Sequence, residues 1–492
     1  MDNYFFIPIM LSALMAFLAV NWVYFKILKI AFDKNLVDNP DVRKLQKRPV
    51  PIMGGVAVFF GVLAGLLMGA VVYAIEGIAW DTHLLPVVCA MSLMLYVGVM
   101  DDIMGLSPRA RLIIEIMTVL GLIYTSGMCI DSFRDMWGVD VLSWWIAVPL
   151  TVIAGVGIIN AVNMIDGVNG LSSGLCITCC IFFGVTFITV GDMSNAVLAF
   201  IMAVALVPFF IHNVFGQKSR MFIGDAGTMV MGILLTWFVI CILSRNNAVN
   251  YCTKQVNVNM VALVLAILSV PVADTLRVMT LRMLHKQSPF SPDKTHLHHV
   301  FIHVGVSHFI TAMSEILIDI VIVLVWGVSV LCEMSLDMQL YIVIITAMIL
   351  VWGTYGVLRY HSRHHTKFLH WLTEYSVRTH LGRKEWWKKI TAKLDYSKNE
   401  YWQETLDEVD TTYDSFSRHN VKDDASYKEQ DRQMIWRYLK DRAEVYVQDI
   451  IENSGADELR VYSILFEEIQ EDSIQVVKTG AFGVPEIVAI KG

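Results

Sequence analysis

Residues 93–112 read LMLYVGVMDDIMGLSPRARL, and this stretch decides how the rest of the chain is to be read. Uncharged residues run without interruption up to Met100, and then two aspartates, Asp101 and Asp102, stand side by side. Like charges repel at that spacing, and carboxylates beside hydrocarbon are expensive to hold. A soluble core strand would end in a turn residue. Here the apolar run ends in charge, then Gly105, then Ser107-Pro108, a helix-start signal with proline in the first turn. The pattern is a membrane helix leaving lipid, a short polar loop, and a second helix going back.

The same alternation recurs along the chain. Of the 492 residues 55% are hydrophobic and 17% charged, and the mean hydropathy is +0.55. A span needs roughly 20 apolar residues, and eleven segments qualify, at about 4–32, 51–74, 84–100, 111–128, 142–162, 171–190, 194–215, 226–243, 257–278, 308–332 and 338–357. The first is read as an anchor, because its lysines (Lys26, Lys29, Lys34) follow the apolar stretch instead of preceding it. Cys176, Cys179 and Cys180 have metal-like spacing but fall mid-span, where small residues at helix contacts explain them better. The expected fold is an all-α polytopic bundle over 1–357, followed by a basic juxtamembrane segment and acidic linker at 358–431. A small soluble α+β domain is expected at 432–492, with helices over 432–452 and 456–471 before a hairpin.

With eleven spans, loops 33–50, 101–110, 163–170, 216–225 and 279–307 share one face. They carry eleven Lys and Arg, against Arg134, Arg245 and Lys254 on the other. The positive-inside rule makes the richer face cytoplasmic, with the N-terminus outside and the tail inside.

That face gathers the unusual polar sequence. Loop 36–55, LVDNPDVRKLQKRPVPIMGG, offers Arg43, Lys44 and Lys47, cations suited to a phosphate as well as to fixing orientation. Asp101 and Asp102 are either solvated interface acids or the paired carboxylates that a hard cation such as Mg²⁺ takes alongside phosphates. Residues 160–171, NAVNMIDGVNGL, space Asn160, Asn163, Asp166 and Asn169 at intervals of three, a polar stripe that belongs against a cavity. Residues 212–228, HNVFGQKSRMFIGDAGT, bring Asn213 and then Asp225 between glycines at the mouth of a span. Residues 281–303, LRMLHKQSPFSPDKTHLHHVFIH, supply Arg282, His296, His298 and His299. Zinc is one reading of the histidines. Phosphate binding is favoured, because no cysteine is near and the face is otherwise made of hard oxygen donors and cations. Glu115 is placed as the i, i+4 partner of Arg111.

Carboxylates, cations and glycines at one membrane surface suit a metal-bridged diphosphate and a lipid-borne substrate. A transporter would put its polar groups near the bilayer midplane.

DDIMGLSPRARL, NAVNMIDGVNGL, FIGDAGT and SPFSPDKTHLHH, in this order, resemble the successive signatures of the polyprenyl-phosphate N-acetylhexosamine-1-phosphate transferases. The resemblance covers about residues 1–357. It implies transfer of a sugar-1-phosphate from a UDP-N-acetylhexosamine to undecaprenyl phosphate, release of UMP, and dependence on Mg²⁺ with Mn²⁺ as substitute. Asp101, Asp102 and Asp166 match the family's catalytic aspartates. Asp225, with Asp102, matches its metal position, and Asn213 and the histidines match its substrate-binding residues. The His-x-His-His form resembles the undecaprenyl-phosphate GlcNAc-1-phosphate branch, while the phospho-MurNAc-pentapeptide branch is the alternative. A non-catalytic transporter or lipid scaffold is the reading from another class. The resemblance further implies a bacterial inner-membrane homodimer that starts lipid-linked envelope glycan synthesis. Asn169 and Gln46 depart from the family's commoner aspartate and histidine. The tail's aromatic and basic residues 359–393 suit anionic lipid, and the acidity of 394–492 argues against nucleic acid.

Overall fold

The computed structural model describes residues 6–38, 50–77, 83–245, 257–286, 295–364, 368, 384–396 and most of 432–490. Arg43, Lys44 and Lys47 lie outside the described residues, as does most of the segment read as a basic and acidic connector.

The larger unit, Met1–Asp38 with Val50–Leu406, is a helical bundle. Its order is α1 (Phe6–Asp33), α2 (Gly54–Glu76), α3 (Leu84–Met104), α4 (Pro108–Ser126), α5 (Trp144–Met164), α6 (Leu171–Val190), α7 (Met193–Phe215) and α8 (Gly224–Leu243). It continues through α9 (Met260–Ile267), α10 (Ser269–Leu284), α11 (Leu297–His303), α12 (His308–Leu331), α13 (Leu336–Ala347) and α14 (Thr354–His364) to α15 (Glu385–Leu394). A π-helical turn, Met348–Gly353, joins α13 to α14 in one continuous rod. Among the described residues nine helices are long and apolar enough to cross a membrane, or ten if α9 and α10 count as one bent span. The eleventh expected span is α4, whose 19 residues carry Arg109, Arg111 and Glu115. Length alone qualifies it; its charges do not.

Every residue of α8 from Ala226 to Leu243 is buried. The helix stands at the centre of the bundle, packed by α2, α3, α5, α6 and α9. Lipid tails are as apolar as leucine, so oily side chains do not drive such helices together; close approach does. Glycine supplies it. A Cβ at Gly55 would overlap the backbone of Gly227, one at Gly98 the backbone of Ala226, and one at Gly232 the backbone of Ile159. The bundle's outer side chains, such as Leu67, Leu85, Ile153 and Leu331, are apolar and exposed, as a lipid-facing surface requires. Buried Cys179 donates to the Ile267 carbonyl at 3.1 Å, so it sits at a helix contact.

The ninth expected span departs from a straight helix: α9 and α10 meet at Leu268 with a 78° bend. Pro271 is the cause. It lacks an N–H, and its ring would strike the carbonyl four residues back, that of Ile267. The opened turn is satisfied from α12, where Asp319 accepts the Ser269 hydroxyl at 2.9 Å and the Val270 N–H at 3.3 Å. Replacing Asp319 by leucine should therefore cost about 1–3 kcal/mol, the penalty of stranding buried donors, while Asp319→Asn keeps the acceptor oxygen. Thermal inactivation of the detergent-solubilised protein checks this: Asp319→Leu should inactivate well below the wild type, and Asp319→Asn close to it.

The second unit contains a helix over residues 432–439 and a three-stranded antiparallel sheet of Val445–Tyr446, Ile474–Thr479 and Pro485–Ile490, with the last strand in the middle. Ile435, Leu439, Val447, Ile464 and Val488 form its core. The helix expected over 432–452 is interrupted after residue 439, because Val445 and Tyr446 pair with Val488 and Ile487; residues 447, 449 and 450 are helical again. A strand partner far along the chain overrides the local helical period.

Candidate active site

The site forms at the first turn of α8. Asp102, at the end of α3, accepts the Asp225 N–H at 2.9 Å through one oxygen and the Ala226 N–H at 3.1 Å through the other. The first amides of a helix have no partner inside it, and a carboxylate there is favoured by the helix dipole as well. Gly224 has φ +70°, and a Cβ there would meet the Asp102 carboxylate. Gly98 and Gly55 let α3 and α2 press against the same turn. Asp102 thus acts as the fixed seat of α8.

Asp101, one residue earlier, points elsewhere. It accepts the Leu106 N–H at 2.7 Å and Arg111 Nη1 at 3.2 Å. The chain reverses at Gly105 (φ +66°), and Ser107 caps α4 by accepting the Ala110 N–H. That reversal brings Arg111, in the first turns of α4, back over the aspartates. Its Nε donates to Glu115 at 3.0 Å, as the i, i+4 spacing predicts. Its Nη1 also lies 3.8 Å from Asp225 Oδ2, contacts that local spacing does not reveal. One guanidinium therefore touches Asp101, Glu115 and Asp225.

Asn160 and Asn163 on α5 complete the cluster. Asn160 donates to Glu115 Oε2 at 2.6 Å. Asn163 donates to Asp225 Oδ1 and to the Thr228 hydroxyl, the latter at 2.8 Å. Of the polar stripe read from the sequence, Asn160 and Asn163 face the interior of the bundle, and the helix ends before the other two. Asp166 lies beyond the end of α5, exposed, where it takes the Ser172 hydroxyl. Asn169 places its N–H 3.4 Å from His308 Nδ1. Asn213 is buried; it accepts the Gly170 N–H at 2.7 Å and donates to the Met221 carbonyl at 2.9 Å. It staples the 166–170 turn to the 216–223 segment.

The histidine segment is anchored by a buried carboxylate on α10. Asp274 accepts from Arg277 at 2.6 Å and lies 2.7 Å from His296 Nδ1, and it also takes the Leu297 N–H. Arg277 spans to the Thr295 carbonyl and stacks on Tyr355. His298 is buried, and its ring lies so close to Gly167 that a Cβ there would collide with Nε2. Burial and the neighbouring His299 push the His298 pKa well down. Neither of its ring nitrogens has a hydrogen-bond partner among the described residues. His299 packs against it at 4.3 Å between ring centroids, and Arg282 is buried near the end of α10.

The structure thus brings Asp101, Asp102, Asp225, Asn160, Asn163 and Arg111 into one network. It joins the histidine segment to the 166–170 turn through His298 and Gly167. Among the described residues no three His, Cys, Asp or Glu side chains form a ready-made metal cage. The donor set is nevertheless suited to a hard cation. Counted with Glu115, the network holds four carboxylates against one arginine, and the Asp225 side chain remains 34% exposed. Mg²⁺ characteristically takes one or two carboxylates and completes its shell with water and substrate phosphates.

Comparison with known proteins gives the family. Residues 84–243, from α3 through α8, match the family described as glycosyl transferase family 4. The chain is 30% identical over 294 residues to a Bacillus subtilis protein named probable undecaprenyl-phosphate N-acetylglucosaminyl 1-phosphate transferase, covering 60% of this chain and 77% of that one. It is 31% identical over 311 residues to the decaprenyl-phosphate N-acetylglucosaminephosphotransferase of Mycolicibacterium smegmatis, covering 60% and 75%. With the Escherichia coli K12 undecaprenyl-phosphate alpha-N-acetylglucosaminyl 1-phosphate transferase it shares 29% over 321 residues, covering 62% and 79%. Read with the aspartates seated around α8, these matches place the chain in glycosyl transferase family 4, among the polyprenyl-phosphate N-acetylglucosamine-1-phosphate transferases.

Proposed function

We propose that the protein transfers GlcNAc-1-phosphate from UDP-GlcNAc to undecaprenyl phosphate, releasing UMP, and so starts a lipid-linked glycan of the bacterial envelope. A lipid-phosphate oxygen forms a bond to the sugar-bearing phosphorus of the donor, and the bond that breaks is the one to UMP. The observation that carries this reading is the seating of Asp102 on the helix turn that bears Asp225, with Arg111 reaching both Asp225 and Asp101. The names of the relatives support GlcNAc over a phospho-MurNAc-pentapeptide.

Asp225, with Asp102 beside it, would hold Mg²⁺, or Mn²⁺ in its place. When bound, the ion supplies neutralisation of the phosphoryl oxygens. The chain's own groups do the rest. Asp102 keeps α8 seated so that Asp225 does not shift between turnovers. Asn163 fixes the orientation of the Asp225 carboxylate. Asp101 serves as base towards the lipid phosphate, with Arg111 beside it to stabilise charge at Oδ2. Asp166 and the Asn169 turn face the donor, and His298, His299, Arg282, Arg43, Lys44 and Lys47 serve its phosphates or those of the lipid. The protein works as a homodimer in the inner membrane, with the N-terminus outside and the site and tail in the cytoplasm; the excess of cations on that face supports this orientation.

The test uses labelled UDP-GlcNAc, undecaprenyl phosphate and Mg²⁺ in detergent. A lipid-extractable product and stoichiometric UMP are expected; chelation should stop both, and added Mg²⁺ should restore them. Failure with every UDP-N-acetylhexosamine tried would return the scaffold or transporter to first place. In the same assay Asp101→Asn should lower turnover about 100-fold or more, the usual worth of a positioned base, while UDP-GlcNAc still binds. Near-normal turnover removes Asp101 from that role.

A further inference from the structure

A device outside the matched residues 84–243 reaches the segment that leads into Asp225. Helix α15 is short and amphipathic. Trp387, Ile390, Thr391 and Leu394 lie on its inner side, while Trp386, Lys388, Lys389 and Lys393 are exposed. It packs on the end of α7: Trp387 meets Phe215 at 4.5 Å and Phe309 at 5.5 Å between ring centroids, and the Thr391 hydroxyl donates to the Phe215 carbonyl at 2.8 Å. The residue that ends the helix is Asp395. Its carboxylate receives the N–H groups of Gln217, Lys218 and Ser219 at 3.1, 3.2 and 3.0 Å, and the Ser219 hydroxyl at 2.8 Å.

Three successive amides aimed at one point make a concave anion seat. Left empty, these amides would diverge or take up water. Asp395 fills the seat from 176 residues away, with charge-assisted hydrogen bonds of about twice the ordinary strength.

From that seat the chain runs to Asp225 under continuous restraint. Tyr24 donates to the Ser219 carbonyl at 2.8 Å, and Asn213 donates to that of Met221. Phe222 donates to Pro51 at 2.8 Å, Gly54 to Phe222 at 2.9 Å and Gly55 to Ile223 at 2.8 Å. Gly224 and Asp225 follow at once. Asp395 holds the entry of this strap.

We propose that Asp395 and α15 form a latch through which the segment following the membrane helices positions the 216–223 strap, and with it Asp225, for turnover. Asp395 is a positioning residue; nothing places it on substrate. The latch has a chemical reason to be a carboxylate: its partners are backbone donors, which only an anion of that size satisfies together.

Two measurements on the full-length protein decide it, and only the second rests on the transferase reading. Hydrogen exchange of peptides covering residues 216–223 should be faster in Asp395→Ala than in the wild type, with Asp395→Asn in between, because the amide keeps the shape and one acceptor but not the charge. In the transfer assay, Asp395→Ala should lower kcat about tenfold, within the range that misplacing a catalytic group brings, while KM for UDP-GlcNAc stays within about twofold. Trp387→Ala, which loosens α15 and leaves the carboxylate in place, should move both readouts in the same direction by less. Unchanged exchange in Asp395→Ala overturns the latch whatever the activity does. Faster exchange with unchanged kcat overturns the positioning role. Wild-type protein inactive on every donor defeats the transferase reading, and the exchange arm still decides whether the strap is held from α15.

Discussion

Asp225→Asn should lower turnover about a thousandfold without changing the fold. Asparagine has the same shape and retains an oxygen for the Asn163 amide, so the hydrogen bond that orients the side chain survives. The N–H of residue 225 still reaches Asp102, since that bond is made by the backbone. What disappears is the charge on a side chain whose Oδ2 lies 3.8 Å from Arg111 and which remains partly exposed. Electrostatic stabilisers aimed at developing charge are worth about 10² to 10³ each in rate, and a carboxylate proposed to hold a cation as well belongs at the upper end. The measurements are kcat, the Mg²⁺ concentration giving half-maximal rate, and thermal inactivation. The expected pattern is a collapsed kcat, a raised Mg²⁺ requirement and unaltered stability. A variant within tenfold of the wild type at the wild-type Mg²⁺ optimum would remove Asp225 from the site.

Arg111→Ala should have a comparable effect on turnover, but by a route that also costs stability. Among the described residues the guanidinium is the one cation in this network, and it touches Asp101, Glu115 and Asp225. Removing it leaves carboxylates facing one another with no compensation, which characteristically costs about 3–5 kcal/mol when a buried pair is broken from one side. Turnover should fall about a thousandfold, and the protein should inactivate at lower temperature. Arg111→Lys keeps the charge but not the fork, so it should recover stability more than rate. The informative companion is Glu115→Gln. If Glu115 is there to balance Arg111, the double variant Arg111→Ala, Glu115→Gln should be more stable than Arg111→Ala alone, because one stranded charge has gone. Strict additivity would show that the two side chains act separately.

Much of this arrangement was visible in the chain, and the rest was hidden for definable reasons. The runs ending at Met100, Phe215 and Leu243 reveal themselves by length and by the charges or glycines that stop them. Asn160 and Asn163 declare a common face because helical spacing is local, whereas Asp166 and Asn169 at the same interval fall past the end of α5. The joint work of Arg111 is not local. Its i, i+4 partner Glu115 is legible, but its reach to Asp101 depends on the reversal at Gly105, and its approach to Asp225 depends on how α8 packs. Asn213 was legible as polar and near the site, yet its task of joining two turns is set by partners before and after it in sequence. The break at Leu268 had a signal in Pro271, which the strongly apolar surroundings masked. Similarly, Val445 and Tyr446 sit in a helical pattern, and only the distant Ile487 and Val488 make them a strand.

The bare contacts of Gly55 and Gly98 with the first turn of α8 bear on how such a protein can diversify. At those two positions every other amino acid is too large, so the platform carrying Asp225 is closed to gradual change. Variation must therefore be accommodated elsewhere, among outward-facing side chains such as Leu67, Leu85, Ile153 and Leu331, which can be exchanged without unseating a helix. The seat of the central helix and the outer surface of the bundle are in this sense under separate constraints, one frozen by geometry and the other left free to drift.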